Sequence, residues 1–189
     1  MSGGIRICNF WIGVEKLGTG MKKAQKIANL LEDLGGTSSG GGSGGCSGGS
    51  SRGLDARYAG YFVCFNRQRY YEAHDVLEDL WLGTPGEDYG FYKGLIQLAG
   101  GFVHLQKQYA RPEHPKDGRR ARPAARLFRL AAGNLEGYRP RHLGLDVEGV
   151  WRMATELAEG IARNGFANPW SPEAAPRLAL ERVEDRNLK

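Results

Sequence analysis

Cysteine is scarce in this chain and poorly placed for chemistry: Cys8, Cys46 and Cys64 are the three among 189 residues. The number is odd and no C-x-x-C pair exists, so neither a zinc knuckle nor a thioredoxin-type site is indicated. A reduced, cytoplasmic setting follows as the simplest expectation. No apolar run is long enough to span a bilayer. The N-terminus lacks a basic start followed by an apolar stretch and a small-residue cleavage site, so no secretory signal is expected either. No segment alternates apolar and polar residues as a half-buried strand would, and no internal repeat appears. Charge of one sign is not in large excess. Lysine and arginine number 26 against 21 acidic residues, for a net charge of +5 and a pI near 9.2. That balance permits contact with nucleic acid or anionic surfaces without requiring it.

Glycine is what the chain has in abundance, at 29 residues, and the excess is local. Residues 35–53, GGTSSGGGSGGCSGGSSRG, have the composition of a flexible linker that cannot bury enough surface to offset its ordering entropy. Before it, residues 1–34 form an N-terminal extension. Ile27, Leu30, Leu31 and Leu34 repeat at helical spacing, which predicts a short amphipathic helix over 21–34, and Met21 is an alternative start to Met1. Docking on a partner and self-association are both open to such a helix.

The folded unit is expected over residues 54–168, as an all-α bundle of about five helices. The first covers about 54–65, with Leu54, Tyr58, Tyr61, Phe62 and Phe65 on one stripe, and Cys64 reads as a small core hydrophobe. Asn66 looks like an N-cap for the second, about 67–82, with Phe65 and Tyr70 as a hydrophobic staple. The third, about 87–110, is apolar over most of its circumference and so belongs in the middle. Pro123 suits the first turn of the fourth, and Asp146 can cap the fifth, which Gly165 ends. RPRHLGL reads as a loop between them. The tail, 169–189, carries Pro169, Pro172 and Pro176 and is expected to lie along the surface, pinned by Trp170.

Helix two, YYEAHDVLEDLW over 70–81, puts Ala73, Val76, Leu77 and Leu80 on its apolar face, with Glu72, Asp75 and Asp79 away from it. His74 and Glu78 lie four apart at the edge of the core, close to Trp81. In helix three, Gln97 and His104 share a side, with Gly100 and Gly101 leaving room for close approach by a helix or a ligand. Antiparallel packing of the two helices lets these pairs meet. Three readings of such a cluster stand together. It is a polar network that fixes helix register. It is a metal site using His74, Glu78 and His104. Or it is a small-molecule or acid–base site, with His74 and Glu78 as catalytic candidates and Tyr71, Trp81, Gln97 and His104 around them. No cofactor is implied by any motif.

The strings FNRQRYYEAHDVLEDLW (65–81) and FYKGLIQLAGGFVHLQK (91–107) together resemble the signature of a family called domain of unknown function 309. Phe65, Asn66, Glu72, His74, Glu78, Trp81, Gly94, Gln97 and Ala99 carry the resemblance, and Asp75 stands where the family often has glutamate. Gly144-Leu145-Asp146 and the proline-containing tail resemble its longer members. The resemblance implies a compact helical bundle and no activity, since none is established for the family.

Arg111, Lys116, Arg119, Arg120, Arg122, Arg126 and Arg129 form a basic stretch. Arg119, Arg120 and Arg122 are its candidates for contacting nucleic-acid phosphates, set against the plainer reading of a solvated face. The leading expectation is a binding or structural domain with its site between helices two and three. The alternatives are a hydrolase-like enzyme, metal-assisted through His74 and Glu78, and a nucleic-acid-associated protein. Partners and oligomeric state are not fixed by the sequence, and no membrane association is expected.

Overall fold

The computed structural model describes residues 54–181 and, ahead of them, Asn29. Apart from Asn29, the expected 21–34 helix and the glycine/serine stretch lie outside the described residues, as do Cys8, Cys46 and the last eight residues.

Helix α1, Ala56–Asn66, opens where the Asp55 carboxylate accepts the Arg57 backbone N–H at 2.8 Å. That bond satisfies one of the donors a helix start leaves open. Its stripe of Tyr58, Tyr61, Phe62 and Phe65 is buried, and so is Cys64. Helix α2, Tyr70–Leu82, follows after a turn in which Gln68 takes φ 59°. Asn66 is not its cap. It is the last residue of α1, and the α2 cap position falls on Arg69, whose side chain makes no capping bond. The Asn66 amide instead donates to the Leu178 carbonyl and accepts the Leu178 N–H, both at 2.8 Å. It pairs with a distant backbone as a neighbouring strand would. The staple rings do meet: Phe65 and Tyr70 lie edge-on with centroids 5.1 Å apart.

Helix α3, Tyr89–Ala110, runs through the middle and packs against α2 on one side and α4, Ala121–Leu135, on the other. Phe102 is the hub, with centroids 5.3 Å from Phe65, 5.0 Å from Tyr70 and 5.1 Å from Phe128. The close approach of α3 and α4 is made by glycine. A Cβ on Gly101 would lie 2.4 Å from Phe128 Cε1, and one on Gly94 would lie 2.7 Å from Leu135 Cγ. The room expected beside Gly101 is therefore filled by a helix. A 3-10 turn, Asp117–Arg119, leads into α4, and Pro123 sits in the first turn of that helix.

The RPRHLGL segment is not all loop. It folds back as a two-residue hairpin, β1 Arg141–His142 against β2 Leu145–Asp146, through Leu143 (φ 45°) and Gly144 (φ 79°). Two successive positive φ values suit the twist of a tight hairpin. Strands this short carry no readable alternation. His142 Nε2 lies 2.6 Å from Asp88 Oδ1 and holds the hairpin to the start of α3. Asp146 caps α5, Val147–Arg163, accepting the Gly149 N–H at 3.1 Å as expected. The segment after α5 is irregular but tied down. Asn168 donates to the Leu105 carbonyl at 2.8 Å, the buried Trp170 indole N–H reaches the Tyr70 hydroxyl at 3.4 Å, and Leu180 bridges to Leu145. Among the described residues, no helix is long and apolar enough to cross a membrane.

Candidate functional site on the second helix

Tyr71, His74, Glu78 and Trp81 recur on α2 at spacings of three and four, so they share one face. His74 is largely covered, with 13% of its side chain exposed, and its Nδ1 lies 3.3 Å from Asp75 Oδ1. The ligand atoms of His74, Asp75 and Glu78 all lie within 4.8 Å of one another. Among the described residues this is the one group of three or more His, Cys, Asp or Glu side chains gathered so closely. Asp75, placed by the helical wheel on the far face, swings its carboxylate round to the imidazole that precedes it. One turn beyond Glu78, the Trp81 indole Nε1 is buried with no hydrogen-bond partner, and its ring lies 4.8 Å from Tyr89.

Gln97 and His104 turn toward other partners. Gln97 Oε1 accepts the Asn134 side-chain N–H at 2.8 Å, and His104 Nδ1 lies 3.4 Å from Arg120 Nη1. Both share the side of α3 that Gly94 and Gly101 open to α4, which is why they meet α4 and the turn before it. His104 is not part of the His74–Asp75–Glu78 group.

His104 belongs to a second polar assembly, which joins the end of α3 to the start of α4. At its centre is Asp117, buried, with Arg111 Nη2 and Arg120 Nε each at 2.6 Å and His114 Nδ1 at 3.7 Å. Burial alone would raise the Asp117 carboxyl. The Arg120, Arg111 and His114 charges outweigh it and hold the group below its ordinary value. Burial, with Arg120 and Lys107 adding to it, pushes His104 down to about 4. Burial, with Arg120 and Arg111 adding to it, lowers Lys107 as well. Of the three phosphate-contact candidates, Arg120 is thus committed to Asp117, Arg122 lies over the Phe166 ring at 4.1 Å, and Arg119 is exposed.

Residues 58–112, from α1 to the end of α3, match the family model described as Domain of unknown function (DUF309), in keeping with the resemblance carried by the two strings. The match ends before Gly144–Asp146 and the tail. No curated protein and no solved structure matches the chain.

Proposed function

We propose, for a chain that matches a family without an assigned activity across α1–α3, that this is a binding domain holding a first-row divalent metal ion on α2 through His74, Asp75 and Glu78. The observation that carries the reading is the mutual approach of the three ligand atoms to within 4.8 Å. Zinc takes imidazole nitrogen at about 2.0–2.1 Å and carboxylate oxygen at about 2.0–2.2 Å. Donors already this close gather round one ion by small side-chain rotations. One imidazole with two carboxylates is a mixed nitrogen–oxygen set, suited to Zn²⁺, Fe²⁺ or Mn²⁺ and not to a thiophilic ion.

Three donors from one helix leave coordination positions for a further ligand, which is the pattern of an open site and not of a closed structural one. An open position also suits the hydrolase-like alternative, in which His74 and Glu78 hold the ion and a bound water is activated. No residue of α2 lines the cavity beside α5, so that cavity adds nothing to a hydrolytic reading. The nucleic-acid alternative is weakened by the internal pairing of Arg120 with Asp117.

Metal analysis of the full chain, purified without chelator, tests the proposal. About one equivalent of metal is expected in the wild type. It should be lost in His74→Ala and retained in His104→Ala, which disturbs only the other assembly. A metal-free wild type that takes up none of these ions when they are added would reject it.

A further inference from the structure

A cavity of about 310 Å³ lies between α5 and the chain that follows it, well separated in sequence from the α2 donors. Phe102 of α3, almost wholly buried, underlies it, Trp170 of the C-terminal segment presents an edge to it, and Met153 and Leu157 give it an aliphatic wall. Trp170 is fixed in place. Its indole N–H is bonded to Tyr70, and its ring meets Tyr109 edge-on at 5.3 Å. Among the described residues, Glu156 is the only charged one lining the cavity, and Asn164 supplies an amide. Binding sites for small molecules are commonly apolar clefts or cavities with a few polar groups to orient the occupant, and this one is an open cleft.

We propose that this cavity binds a small aromatic ammonium ion, its ring against Leu157 and the exposed edge of Trp170 and its charge at the Glu156 carboxylate. A dry cavity of about 150 Å³ accommodates benzene, so this one has room for a ring with a short charged arm. A carboxylate at the mouth of an apolar cavity selects a cation over an anion of the same shape.

Gly160 supports the assignment independently. It lies inside α5, where glycine is less favourable than any residue but proline. A Cβ built on it would meet nothing within 4 Å, so no neighbouring helix demands glycine there. The residue lines the cavity, so a large side chain there would compete with an occupant for space.

The test is a ¹⁵N-resolved NMR titration of the full chain with benzylamine, benzyl alcohol and benzoate, which share one ring size and differ in charge. Benzylamine should give saturating shifts at the Trp170 indole N–H and at α5 amides near Gly160. Benzyl alcohol should bind at least tenfold more weakly and benzoate not measurably. Glu156→Gln should bring benzylamine down to the level of the alcohol. Gly160→Leu should abolish binding of both while the spectrum stays folded. The proposal is overturned if no probe saturates, if the alcohol or benzoate binds as tightly as the amine, or if folded Gly160→Leu binds like the wild type. Should Gly160→Leu not fold, Glu156→Gln still decides, because it alters one exposed side chain.

Discussion

Asp117 shows how a single residue can be buried with its charge intact. Two guanidinium groups and an imidazole surround its carboxylate, while the neighbouring His104, buried and facing Arg120, resists protonation. In the unfolded chain His104 takes up its proton near its ordinary value of 6.5, whereas in the fold it does so only at about 4. Between those values the unfolded chain binds a proton that the folded one refuses. The stabilisation is therefore complete above pH 6.5, falls as the pH drops through that window, and is gone below about 4. It amounts to ~3 kcal/mol at most. Asp117, held below its ordinary value, acts lower on the scale: its contribution is present above 3.8 and lost as the pH falls through the folded value. Urea unfolding at pH 7 and pH 4.5 should show a large loss in the wild type and a smaller one in His104→Gln. Equal losses would mean that His104 is not the group responsible.

Asn66 is the other residue whose job differs from its appearance. Asparagine ahead of a helical pattern reads as a cap, and only the folded chain shows its amide spent on Leu178, 112 residues later in the sequence. Local pattern carries no trace of such a partner. Asn66→Ala should cost about 1–3 kcal/mol, since both Leu178 backbone groups lose their partner. Limited proteolysis should then cut the segment after α5 faster than in the wild type.

At the scale of elements, the helices are legible because their apolar stripes are long and their ends are marked. Asp146 caps α5, and Pro123 sits in the first turn of α4. The hairpin at 141–146 is not legible, because two-residue strands show no period and Leu143 is not a residue that announces a positive φ. The packing of α3 on α4 hangs on residues without side chains. Gly101→Ala should destabilise by about 1–3 kcal/mol, because the new methyl meets Phe128, although alanine favours the helix. Chemical denaturation gives the sign directly, and a stabilised Gly101→Ala would show that the two helices can part at little cost.

At the scale of the whole described fold, part of the basic charge of the 111–129 stretch is engaged within the fold. Arg111 and Arg120 are turned onto Asp117, and Arg122 lies on Phe166. Arg120→Glu should therefore unfold the protein at markedly lower denaturant, by about 3 kcal/mol or more, because it removes one of the two guanidinium partners of a buried carboxylate and sets a second carboxylate beside it. Arg119→Glu, at an exposed position, should change stability by less than about 0.5 kcal/mol. Comparable effects of the two in the same denaturation experiment would contradict this division.

Part of the proposed site is legible in the sequence by the same logic. His74 and Glu78 stand four apart on one helix, and spacing alone pairs them. Asp75 was hidden because a helical wheel places Cα positions and says nothing of how a short side chain turns back toward its neighbour. His104 was misleading because its side of α3 is decided by which helix the glycines admit.

The most direct measurement is a calorimetric titration of Zn²⁺ into the full chain after chelator treatment and its removal, for the wild type and for His74→Ala. A saturable site of about one ion per chain is expected in the wild type, with affinity at least tenfold weaker in His74→Ala. No saturable heat in the wild type, or equal binding by the two proteins, would contradict a metal site at His74, Asp75 and Glu78.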